Sequence, residues 1–139
     1  MRIVVKFGGS SLADTGRIEN AAQRIAALYN AGNQVVAVVS AQGDTTDEMI
    51  DKAMKLHTDP PKREMDAYLA AGEQMSAALM AMTLQKMGFP AISLTGMQAG
   101  LMTDGIHGDG NSLANISQGI GRCENGFHLS RGWIDRTDT

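Results

Sequence analysis

Lys6, Gly8, Gly9 and Ser10 stand together where an apolar run, Ile3-Val4-Val5, gives way to a helical pattern. A cation beside two glycines at such a junction can hold a phosphate. Glycines lack the Cβ atoms that keep an anion away from backbone N–H donors, the next helix adds the positive end of its dipole, and Lys6 supplies a full charge. A plain glycine turn with a solvated Lys6 is the alternative reading of these residues taken alone. A second loop, Ala41-Gln42-Gly43-Asp44-Thr45-Thr46, follows another valine-rich run ending at Ser40. The pair Gly72-Glu73 interrupts a long helical stretch. Glycine within a helix costs about 1 kcal/mol relative to alanine, so Gly72 is expected to mark a break that presents the Glu73 carboxylate to a site. The alternative is a tolerated glycine beside a solvated glutamate.

The elements that must position these groups are legible from periodicity. Residues Arg2 to Phe7 form a continuous β-branched run, as expected of a parallel strand covered on both faces. Asp14 can cap a helix from about Thr15 to Ala31, where Ile18, Ala21, Ala22, Ile25, Leu28 and Tyr29 share one face and Gly32 closes the end. A strand from Gln34 to Ser40 follows, then a helix from near Asp47 to about Leu56, ended by Pro60-Pro61. Lys62 to Met87 is the longest helical stretch, with Tyr68, Leu69, Met75, Leu79, Met82 and Leu84 as apolar contacts. Met75, Met80, Met82 and Met87 are expected to fill core gaps. Ala91 to Leu94 is a third strand. The β-α-β order argues for right-handed crossovers in an α/β sandwich, where ligands collect at the carboxyl ends of the strands.

Composition narrows the function. The chain has 139 residues, one domain's worth, and a net charge of -3, which gives no basic field for nucleic acid and no landing patch for an anionic membrane. A single cysteine, Cys123, excludes an internal disulfide, and no signal-type apolar segment opens the chain, so the cytoplasm is the expected compartment. His57, His107 and His128 are far apart and keep no metal-ligand spacing with Cys123. No Gly-x-Ser-x-Gly elbow, P-loop or three-glycine dinucleotide fingerprint is present.

Five blocks in order cover residues 1 to about 107: Lys6-Phe7-Gly8-Gly9-Ser10-Ser11, Val38 to Asp47, Arg63-Glu64-Met65-Asp66, Ala71-Gly72-Glu73-Gln74 and Leu94 to Gly100. Together they closely resemble the aspartate kinases of the amino-acid kinase superfamily, with Gln42 standing where methionine is expected. The resemblance implies the amino-terminal half of a three-layer αβα sandwich with a mostly parallel sheet. It implies transfer of the γ-phosphoryl group of ATP, with Mg²⁺, to the side-chain carboxylate of L-aspartate, giving 4-phospho-L-aspartate on the route to lysine, threonine and methionine. By the same resemblance Lys6 is the catalytic cation. Phe7, Gly8, Gly9 and Ser10 join it at the nucleotide phosphates, Ser40 and Thr46 help hold the amino acid, and Glu73 meets its α-ammonium group. The resemblance implies no metal-ligating residue of the protein itself, and a homo-oligomer in the full-length family.

From Gly108 to Thr139 no period is sustained. The family's Arg-Gly-Gly-Ser-Asp-Thr-Thr block and its regulatory domains are missing. Ile116-Ser117, Glu124 to Phe127 and Gly132 to Asp135 resemble eroded family segments, whereas Gly119 to Cys123 and His128 to Arg131 do not. Residues 108–139 are therefore expected to be a degenerate or truncated tail after a reading-frame change. The chain alone is expected to be inactive, with an apolar edge strand and uncovered helix faces. The competing readings are a noncatalytic α/β module that binds a partner subunit or a phosphate ligand, and an amino-acid kinase acting on glutamate or carbamate.

Overall fold

The structure, a computed structural model, describes residues 1–101, His107 and, as backbone, 127–131. Its elements are β1 (Arg2–Phe7), a 3-10 turn (Gly9–Leu12), α1 (Thr15–Asn30), β2 (Gln34–Val39), α2 (Thr45–Leu56), α3 (Lys62–Lys86), β3 (Ala91–Leu94) and β4 (Phe127–Arg131). The four strands make one parallel sheet in the order β1-β2-β4-β3. The α/β class with a parallel sheet, expected from the sequence, is what the chain adopts.

The core lies between the sheet and the helices α1 and α3. Val35, Ala37 and Val39, alternate residues of β2, meet Ile18, Ala22 and Ile25 of α1 and Met80 and Leu84 of α3, with Phe7 and Leu12 closing the end nearest the loops. Asp14 starts α1 by accepting a hydrogen bond from the Arg17 N–H at 2.8 Å, satisfying a donor the helix itself cannot. Asp14→Ala should cost about 1 kcal/mol, read as a lower urea midpoint with an unchanged slope.

Four expectations need correction. β1 is an edge strand covered on one face only: Val5 and Phe7 pack on the core, whereas Val4 is 62% exposed. A β-branched run therefore did not mean two covered faces. α3 runs unbroken through Gly72. Of the methionines assigned to the core only Met80 is there; Met75 is 52%, Met82 55% and Met87 39% exposed, and Tyr68 and Leu79 also lie on the outer surface. Leu69 and Leu84 are buried as expected, and beside them α3 buries Ala70, Gly72, Glu73, Ser76, Ala77, Met80 and Ala81, so its inner face combines two leucines and Met80 with small residues and one carboxylate. The fourth concerns Phe127–Arg131, where no period predicts an element: it forms the strand that joins β2 to β3, pairing Val36 with His128 and Ile92 with His128. Expectations for 108–126 and 132–139, Cys123 included, lie outside the described residues.

Candidate active site

The first and second loops leave the carboxyl ends of two neighbouring parallel strands, and backbone contacts hold them against each other. The Ser40 N–H donates to the Phe7 carbonyl at 3.2 Å, and the Gly43 N–H to the Gly9 carbonyl at 2.9 Å. Gln42 adds a side-chain bond, its Nε2 donating to the Leu12 carbonyl at 2.9 Å. The departure from methionine at this position thus gives the second loop a polar tie to the end of the 3-10 turn.

Glycine is required at two places by close approach. A Cβ on Gly9 would stand 2.8 Å from the Ala41 carbonyl oxygen and 3.3 Å from that of Gly43. A Cβ on Gly72 would stand 3.1 Å from the Ala41 Cβ and 3.4 Å from the Met49 Sδ. Ala41 is therefore wedged between the first loop and α3. Gly72 is not a helix break; it lets α3 lie directly on the second loop and the first turn of α2. Gly8 is different, since a Cβ there would meet nothing within 4 Å. The two neighbouring glycines divide the work: Gly9 packs, and Gly8 faces open space.

This stacking places the predicted residues at one edge of the sheet. Glu73, next to Gly72, is 1% exposed. A carboxylate is costly to bury, so its inward position on α3 is not explained by ordinary core packing. Thr46 is the second residue of α2 and half-buried. The Asp44 side chain makes no cap bond; of the first-turn N–H groups of α2, that of Thr45 donates to the Gln42 carbonyl at 2.9 Å and that of Glu48 to the Asp44 carbonyl at 3.0 Å, which leaves those of Thr46 and Asp47 without an intrahelical acceptor. Ser10 lies in the 3-10 turn, its carbonyl accepting from the Arg17 guanidinium. Lys6 alternates with Val5 and Phe7, so it leaves β1 on the face away from α1 and α3 and is exposed. Lys6 thus leaves the sheet on the face opposite to α3, the helix that carries Glu73.

Sequence reasoning missed Arg17, Ala41 and the packing use of Gly72. Arg17 had a signal in its i,i+3 spacing from Asp14, to which it pairs at 3.4 Å. Ala41 had none. Two further features lie along α1 and α3. A cleft lined by Phe7, Ser11, Arg17, Asn20, Gln23 and Arg24 opens along α1 beside the first loop. His107 bonds Asp66 on α3, Nδ1 to Oδ2, at 3.2 Å.

Residues 1–126 match the amino acid kinase family. The chain belongs to that family. Within it, the aspartokinase of Geobacillus stearothermophilus is 46% identical over 139 residues, covering 99% of this chain and 34% of that protein. An aspartate kinase from Synechocystis superposes with a TM-score of 0.79 at 37% identity, covering 95% of this chain and 22% of that one. E. coli aspartokinase III, solved with aspartate and ADP, shares the fold with a TM-score of 0.75 at 18% identity over 95% of this chain and 40% of its own. The chain spans 25 to 34% of the length of the curated amino acid kinase relatives first matched.

Proposed function

We propose that this chain forms the phosphate- and aspartate-holding part of an aspartate kinase, transferring the γ-phosphoryl group of ATP to the side-chain carboxylate of L-aspartate. The observation that carries the reading is the buried Glu73, next in sequence to Gly72, which packs on Ala41 of the second loop. The likeness to aspartokinases, one of them solved with aspartate and ADP, supports it. In this reading Glu73 receives the α-ammonium group of aspartate, and Ser40 with the first turn of α2 at Thr46 receives its α-carboxylate. Lys6 and the backbone of Phe7, Gly8, Gly9 and Ser10 receive the phosphates.

The chemistry asks for alignment more than for proton transfer. An aspartate side chain in water loses its proton at about pH 3.9, so the acceptor is ionised at neutral pH and needs no general base. The difficulty is to bring one anion against another, which positive groups fixed at the strand ends overcome by neutralising and orienting. Mg²⁺ enters as part of the substrate, MgATP. The setting proposed is cytoplasmic amino-acid biosynthesis, and no helix among the described residues is long and apolar enough to cross a membrane.

The chain alone is proposed to bind ligands without turnover, its described part offering Lys6 as the uncommitted cation among the proposed phosphate contacts. The test is therefore a graft. Residues 1–107 should replace the matching segment of the Geobacillus stearothermophilus aspartokinase and support ATP-dependent formation of aspartyl hydroxamate, with aspartate preferred to glutamate. A folded graft without activity, or one that prefers glutamate, would count against the proposal. In that graft Glu73→Gln should raise the KM for aspartate at least about tenfold, since it removes the charged partner of an ammonium group, and leave the KM for ATP unchanged.

A further inference from the structure

From Thr45 to Tyr68 the chain makes a helical arm, α2 and the first two turns of α3 joined through Pro60-Pro61, in which no residue is buried. Burial on α3 begins only at Leu69. An element without buried side chains opens locally at low free energy, so each tie that holds it counts. The root of the arm is firm: Ala41 packs on Gly72, and Gly43, at φ 46, leads the second loop toward α2. Farther out, Asp66 ties the arm to the chain beyond β3, its Oδ2 accepting from His107 Nδ1 at 3.2 Å. Arg63 and Glu64 pair with each other, inside the arm. Asp66 precedes Glu73 by seven residues, so the bond is made on the side of α3 that carries Glu73, about 10 Å along the axis. Before His107 in sequence, the turn after β3 is fastened in turn. The Thr95 N–H donates to Gln98 Oε1 at 2.9 Å, the Gln98 N–H to Thr95 Oγ1 at 3.2 Å, and the Leu101 N–H to the Gly96 carbonyl at 2.8 Å, with Ala99 buried.

We infer that the His107–Asp66 bond is a latch that holds this arm in place at the amino-acid site, which makes His107 and Asp66 positioning residues for aspartate. The inference rests on the proposed function, in which Thr46 on the arm and Glu73 just past its end receive the amino acid. An arm that is free to open spreads Thr46 over many arrangements, and binding must first order them, which weakens the apparent affinity for aspartate. The phosphates are held ahead of the arm. The first loop is bonded to the second through Gly43 and Gln42, neither of which moves with the latch. Two sequence blocks that the chemistry left unused, Arg63 to Asp66 and Leu94 to Gly100, thereby acquire a role on either side of one bond.

Hydrogen exchange of the full chain tests the latch, and kinetics of the graft test what it serves. His107→Ala and Asp66→Ala should each speed amide exchange in α2 and the first two turns of α3 about threefold and leave α1, β1 and β2 unchanged, the scale expected of a pair whose side chains are 48% and 42% exposed. In the graft each should raise the KM for aspartate about threefold, with kcat, the KM for ATP and the melting midpoint unchanged. The double variant should be no worse than either single, because all three lose the same bond. His107→Gln, whose amide can still donate to Asp66, should recover most of the loss. Arm exchange unchanged in both single variants, or effects that add in the double variant, would overturn the inference. So would faster exchange with an unaltered KM for aspartate in a graft where Glu73→Gln raises it. An inactive graft, or one indifferent to Glu73→Gln, would instead fail the proposed function, and exchange in the full chain would still decide whether the bond holds the arm.

Discussion

Lys6→Ala in the grafted enzyme should lower kcat by about 10³-fold while changing the KM for aspartate less than about twofold. The asymmetry follows from position. Lys6 stands at the carboxyl end of β1, on the opposite face of the sheet from Glu73, so it has no place in holding the amino acid and every opportunity to meet the phosphate chain. Charge on the transferring phosphoryl oxygens must be met by fixed positive groups, and removing one such donor typically costs two to three orders of magnitude. Because Lys6 is exposed and makes no core contact, melting of the variant should match that of the parent. Lys6→Arg should recover only part of the rate, since a planar fork on a longer reach does not place its charge where an ammonium does. Turnover unaltered in Lys6→Ala would leave the lysine as a solvated strand-end residue and remove the cradle from the proposal.

The legible part of this fold was the part governed by local repetition. β1 and β2 follow from runs of valine and isoleucine, β3 from the short segment Ala91–Leu94 between Gly88 and Gly96, and α1 from a 3.6-residue stripe with Asp14 at one end and Gly32, at φ 84, beyond the other. What failed depended on which surface an element meets. β1 and β2 read alike in sequence, yet one is an edge and the other an interior strand, a difference set by the order β1-β2-β4-β3 and by nothing local. α3 carries apolar residues on two faces, the inner made of Leu69, Met80, Leu84 and alanines and the outer of Met75, Leu79 and Met82, so composition could not say which was the core. The 3-10 turn at Gly9–Leu12 is too short to show a period.

The site was legible as residue types and not as contacts. Lys6, Gly8, Gly9 and Glu73 follow from their chemistry and Thr46 from the family resemblance, and the fold holds the first and second loops against each other. Gly72 was noticed for the right reason, that a glycine in a long helix needs a cause, but its cause is contact with Ala41, Thr45 and Met49 from distant parts of the chain. Spacing along a helix cannot show what will lie on it. The same holds for Gln42, whose partner Leu12 is 30 residues away.

The adjacent glycines give the most discriminating stability experiment. Gly9→Ala would place a methyl group 2.8 Å from the Ala41 carbonyl oxygen, closer than Cβ atoms approach any atom, with the Gly43 carbonyl 3.3 Å away behind it. Both obstacles are backbone and cannot swing aside. The two loops must separate, weakening the Gly43 N–H bond to the Gly9 carbonyl and the Gln42 tie to Leu12. The expected cost is about 2–3 kcal/mol, lowering the melting midpoint of the chain by roughly 10 °C. Gly8→Ala meets nothing within 4 Å, and the backbone there, at φ -73 and ψ 170, suits alanine, so its midpoint should stay within about 2 °C. Its effect should fall on the ligand instead: in the graft, the KM for ATP should rise about tenfold as the methyl group enters the space kept for phosphate. Equal melting of the two variants would show that the loops do not touch at Gly9. An unchanged KM for ATP in Gly8→Ala would move the phosphates away from the first loop.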